Sequence, residues 1–89
     1  MRIKEGFELK NIHGQNIVVC NGEFSKNFTR SIALSSTSAF LWEKLKEGEK
    51  NKEELLKLLL ESFDISTVLA LNDIDVFVRT LKKDGIIEE

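Results

Sequence analysis

His13 and Cys20 are the only residues of their types in this 89-residue chain, and they bound its chemistry first. A structural zinc site takes four ligands, usually drawn from His and Cys, so this pair leaves such a site half supplied. One cysteine permits no internal disulfide. A general base needs an oriented partner. His13 has none in view, and His13-Gly14-Gln15-Asn16 reads as a hairpin connection with a solvated histidine. Cys20 ends the apolar run Ile17-Val18-Val19-Cys20 and reads as a small buried hydrophobe rather than a reactive thiol. Carboxylates are plentiful, but Glu53 and Lys57 stand at i, i+4 as a pair on a solvated face. Asp73 and Asp75, two apart, fall on different sides of a helix. No glycine-rich phosphate cradle or nucleophile motif is present. The sequence predicts no catalytic residue, no metal and no cofactor.

Two features suit binding instead. The first is Thr29-Arg30-Ser31-Ile32-Ala33-Leu34, which reads as the last of three strands, with Arg30, Ile32 and Leu34 on one face and Thr29, Ser31 and Ala33 on the other. The last strand of a meander is an edge, with a row of unpaired N–H and C=O groups. Proteins usually guard such edges with Pro, Lys or a bulge. Only Arg30 guards this one. It can accept an extended peptide as an added strand, or be covered by the segment 21–28 or by a second subunit. The second feature is a line of residues on the last helix. Leu69, Val76 and Thr80 fall at i, i+7 and i+11, with Asp73 at i+4, on the Phe77 side of the core-facing stripe. Such a line either widens the buried face or lines a groove.

These features need elements to hold them. Phe7-Glu8-Leu9-Lys10 alternates with the period of a half-buried strand. Ile17–Cys20 is apolar on both faces, as a middle strand should be. Asn21-Gly22 opens a turn, and 23–28 reads as a longer loop tucked in by Phe24 and Phe28. At Ser35-Ser36 the period changes and a serine can cap a first helix, with Leu41, Trp42 and Leu45 as its buried stripe and Gly48 as its end. Asn51 and Glu54 resemble a capping box for a second helix. That helix carries Leu55, Leu56, Leu58, Leu59, Leu60 and Phe63, and is therefore expected to be the most buried. A third helix runs from about Ser66 to Lys83, with Leu71, Ile74, Phe77, Val78 and Leu81 inward and Lys82, Lys83 and Gly85 closing it. Ile86-Ile87 reads as a short extension packing on the core. Three antiparallel strands followed by three helices make an α+β domain of winged helix-turn-helix type.

Composition bounds the rest. Size scaling buries about 64% of the extended chain's surface at this mass, enough for one modest core and too little for a deep cavity beside it. A single domain spanning residues 1–89 is expected. Net charge is −2, whereas a domain that lives on phosphate backbones is usually strongly basic. No apolar run approaches a membrane span or a signal peptide, so a cytoplasmic location is expected.

Several stretches resemble the proteins related to pyrroloquinoline quinone synthesis protein D. They are residues 1–9, Asn16-Ile17-Val18-Val19, the strand-to-helix junction from Ile32 to Leu45 with Ala39-Phe40-Leu41-Trp42, and the ending from Phe77 to Ile87. The resemblance covers essentially the whole chain, and the junction is its most specific part. It implies a winged helix-turn-helix that recognises peptides in the making of ribosomally synthesised, post-translationally modified products. In that family the leader segment of a precursor adds as an antiparallel strand in the groove between the third strand and third helix. The domain then presents the peptide to a modifying enzyme, often a radical S-adenosylmethionine enzyme. Carried over position by position, the resemblance implies a backbone ladder on Arg30, Ser31, Ile32, Ala33 and Leu34. The flanking wall would be Leu69, Asp73, Val76, Phe77 and Thr80. Ser35 and Ser38 stand where the family often has Asn and Gly, and Cys20 where a Pro commonly follows the second strand.

The resulting expectation is a non-catalytic peptide chaperone. The alternative is a winged-helix DNA-binding or regulatory module. Reading DNA needs basic and amide side chains on a recognition helix. Here Arg79, Lys82 and Lys83 are offset by Asp73, Asp75 and Asp84, which disfavours nucleic acid. A third reading has the open edge pair with its own copy, giving a homodimer.

Overall fold

The computed structural model describes residues 1–20 and 32–88. The expected turn at Asn21-Gly22, the loop 23–28 and residues 29–31 of the third strand lie outside the described residues. Among the described residues, five strands and three helices follow in the order β1 (Arg2–Ile3), β2 (Phe7–Ile12), β3 (Gln15–Cys20), β4 (Ile32–Leu34), α1 (Ser36–Glu47), α2 (Lys52–Ser62), α3 (Thr67–Lys83) and β5 (Ile87–Glu88).

β2, β3 and β4 form an antiparallel sheet with β3 in the middle. The β2–β3 connection is the two residues His13 and Gly14, both at positive φ (52° and 83°). That is the conformation in which a two-residue turn matches the twist of its strands, and glycine adopts it without strain. Asn11 helps by accepting a bond from the Gly14 N–H through its Oδ1 at 3.2 Å. His13 is exposed at this tip, and Cys20 is half-buried opposite Phe7. In the β3–β4 ladder, Val18 faces Ile32 and both are buried, while Ala33, opposite Ile17, is exposed.

The helices start and stop where polar side chains satisfy free backbone groups. Ser35 Oγ accepts from the Ser38 N–H and Ser66 Oγ from the Leu69 N–H, each at 3.2 Å. Asn51 and Glu54 form a reciprocal capping box, at 2.8 Å for the Glu54 N–H on Asn51 Oδ1 and 3.1 Å for the return bond. At the end of α3, Gly85 sits at φ 73°. Its N–H bonds the Lys82 carbonyl at 3.0 Å, and the Ile86 N–H bonds that of Leu81 at 2.9 Å. This is the Schellman pattern, and its usual apolar contact is present, since Leu81 and Ile86 are both fully buried. The turn throws the chain back, so that Ile87 can pair with Ile3.

One core joins the sheet to the helices: Ile3, Phe7, Val18, Ile32, Leu41, Trp42, Leu45, Leu55, Leu59, Ala70, Ile74, Phe77, Val78, Leu81, Ile86 and Ile87. Lys46 pins α1 to the sheet by donating from Nζ to the Phe7 carbonyl at 2.9 Å. The expected core stripes of α1 and α3 are found, with two corrections on the later helices. α2 is not the most buried helix: it buries Leu55 and Leu59, whereas α3 buries five residues. Leu71 is exposed, since it lies about 90° around the helix from the centre of the arc made by Ala70, Ile74, Phe77 and Leu81. The inner position in the first turn belongs to Ala70. The β1–β5 pair is an addition to the expected three strands. Ile86 and Ile87 pack on the core as expected, and Ile87 does so as part of this second ladder.

Candidate functional site

β4 and α3 both contribute to the one buried core, which gives the candidate site its floor. Ile32 of β4 and Phe77 of α3 belong to the same buried cluster. Above Ile32, the ladder positions Ala33 outward, and among the described residues no strand adjoins the far edge of β4. Arg30 and Ser31, expected to extend this ladder, lie outside the described residues. Ile32, Ala33 and Leu34 form the described part, buried, exposed and half-buried in turn.

On α3 the four outer residues of the wall share one line. At 100° per residue, Leu69, Asp73, Val76 and Thr80 lie within about 60° of one another. All four reach the surface: Leu69 is 56% and Val76 43% exposed, while Asp73 and Thr80 are partly so. The line therefore does not widen the core. Phe77 differs, at 2% exposed, and lies beneath this line as part of the floor. A strip reading aliphatic, carboxylate, aliphatic, hydroxyl is suited to holding side chains of an extended peptide, because it offers apolar contact with few polar groups to desolvate.

Two further apolar residues, Val68 (77% exposed) and Leu71 (44%), open the N-terminal half of α3 on its other side. Val68 belongs to no stripe that the sequence pattern marked out. Its helical angle sets it apart from both the core arc and the Leu69–Thr80 line. Across the helix interface Phe40 and Phe63 meet edge to face, with ring centroids 5.3 Å apart, and Lys44 Nζ lies 5.3 Å from the Phe40 ring. That pair closes the end of the helical layer and offers no chemistry. Among the described residues, no group of three or more His, Cys, Asp or Glu side chains gathers to hold a metal ion.

Comparison with known proteins places the chain. Residues 25–87 match the family model described as coenzyme PQQ synthesis protein D. The chain belongs to that family. No curated protein matches it by sequence. Two solved structures share its fold. TbiB1 in complex with the TbiA(beta) leader peptide superposes with a TM-score of 0.75 at 18% identity, covering 99% of this chain and 95% of that one. Lasso peptide synthetase B1 complexed with the leader peptide gives 0.73 at 16% identity, over 99% and 96%. The winged α+β architecture of this family member is thus found almost end to end in both, and the family resemblance of the sequence is upheld.

Proposed function

We propose that this domain binds the leader segment of a ribosomally made precursor peptide by strand addition, without catalysis of its own, and presents the precursor to a modifying enzyme. The observation that carries the reading is an edge strand and a helix that share one core, the helix carrying an apolar, exposed face beside its buried one. Main-chain bonds to β4 supply affinity that tolerates sequence change, and Leu69, Asp73, Val76 and Thr80 supply the side-chain selection. Arg30 and Ser31 continue the ladder, and Phe77 acts through the floor on which the peptide rests. Membership of the family and the two leader-peptide complexes that share the fold support this choice over a DNA-binding module. A radical S-adenosylmethionine enzyme is the partner class that fits the family. No helix among the described residues is long and apolar enough to cross a membrane, and a cytoplasmic site of action accords with that.

The test is calorimetric titration with synthetic leader segments of candidate precursor peptides, sought among short reading frames near this chain's gene. Val76→Arg is expected to weaken binding at least about tenfold, because a cation is forced into an apolar strip. The thermal melt should stay unchanged. Unaltered affinity would remove this helix face from the site, and no binding by the unmodified protein would remove the function.

A further inference from the structure

The flank of α3 beyond the Leu69–Thr80 line, away from the core, carries a second surface of different chemistry. An open groove of about 630 Å³ runs between α3 and the start of α2, lined by Lys52, Asn72, Asp75, Val78, Arg79, Lys82 and Lys83. Four cations and one carboxylate line it, and of the cations Lys82 has a partner of its own, in a chain whose total charge is −2. Lys52 Nζ and Asp75 Oδ1 pair across the groove at 3.0 Å and fix its walls. Arg79 and Lys83 make no ion pair among the described residues. Lysines in a last helical turn complement the helix dipole, which accounts for Lys82 and Lys83. It does not account for Arg79, a turn earlier, or for Lys52 on another helix.

We infer that this groove docks a carboxylate-rich segment of a partner protein, and that the partner is the modifying enzyme that receives the bound precursor. The identity of that partner rests on the leader-binding reading above; the charge of its docking segment rests on the groove alone. Arg79, Asp75 and Lys82 lie about 90–150° around α3 from the centre of the leader-facing line, and Lys83 about 50°, at the margin between the two surfaces, so both can be occupied together. A domain that presents one chain to another needs such a pair of independent faces. Nucleic acid is the weaker occupant. The carboxylate of Asp75 sits inside the groove, and a basic patch of this size neutralises fewer phosphates than a duplex site usually requires. Carboxylates of a peptide suit it better, since Arg79 can receive one bidentately while Lys83 acts as a point charge.

The experiment uses the full-length protein, isotopically labelled, with amide resonances followed by NMR at about 50 mM salt, where such charges are little screened. The probes are a blocked hexaglutamate peptide and a DNA duplex of about a dozen base pairs. Hexaglutamate is expected to cause saturable shifts at Lys52, Asn72, Asp75, Arg79 and Lys83, at least about fivefold weaker in Arg79→Gln/Lys83→Gln. That variant removes charge from exposed positions only, so it keeps the fold and its affinity for the synthetic leader. Shifts that are absent, that scatter over Lys10, Lys46 and Lys57, or that survive the double substitution overturn the proposal. Tighter binding of the duplex at the same residues overturns it in favour of nucleic acid. Hexaglutamate binding by a protein that ignores the leader overturns the leader reading and leaves the groove in place.

Discussion

α2 and α3 lie side by side and use their apolar residues in opposite ways. α2 fully buries Leu55 and Leu59, and its other leucines are half-covered at the rim. α3 buries Ala70, Ile74, Phe77, Val78 and Leu81, yet leaves Val68, Leu69, Leu71 and Val76 open to solvent. The helix that does most for the core is also the one that spends most apolar surface outside it. An exposed aliphatic residue by itself means little. Four on the helix that spans the core, two of them aligned on one face, mark α3 as the structural centre and, in the proposed function, as the binding face. α2 is a cover.

That contrast can be broken by substitution. Phe77→Ala should have the largest effect, costing about 3–5 kcal/mol of unfolding free energy in urea, because a buried ring is lost from the core shared by the sheet and the helices. Leader binding should fall with it; a small cost would mean that the floor is not there. Leu59→Ala should cost about 2–5 kcal/mol, against under about 1 for Leu58→Ala one position away, since only the first leaves a cavity. Equal losses would erase the difference between the covered and rim positions of α2. Smallest in stability is Val76→Arg, within about 0.5 kcal/mol of the unmodified protein. Its effect belongs to binding, and a large destabilisation would return Val76 to the core.

Local signals in the sequence located the helices well. Ser35, Gly48, Asn51 with Glu54, and Gly85 mark ends by side-chain and backbone chemistry that acts within one turn, and the folded chain uses each of them. Leucine content overstates the burial of α2, because it measures how much surface a helix could bury, whereas position in the layer decides how much it does. Leu71 misled for a related reason: it lies at the margin of the arc, and the small Ala70 takes the inner place. The β1–β5 ladder left no trace in the periodicity, because two-residue strands are too short to alternate. The Leu69–Asp73–Val76–Thr80 line was legible as a line, and only its exposure separates a groove wall from a wider core. Arg79, Lys82 and Lys83 of the basic flank were legible on the last helix, whereas Lys52 was not, because it comes from a different helix.

The short β1–β5 ladder has a topological consequence. Arg2 stands directly across from Glu88, with the guanidinium and carboxylate 2.9 Å apart, and the Lys4 N–H reaches the Ile86 carbonyl at 2.8 Å. The polypeptide therefore nearly closes into a ring. Residues 2 and 88 could be joined by a short linker and new ends opened at the exposed His13-Gly14 tip, giving a circular permutant with the same core. For the same reason the whole unit could be grafted into a surface loop of another protein without stretching either end, and would carry both faces of α3 with it.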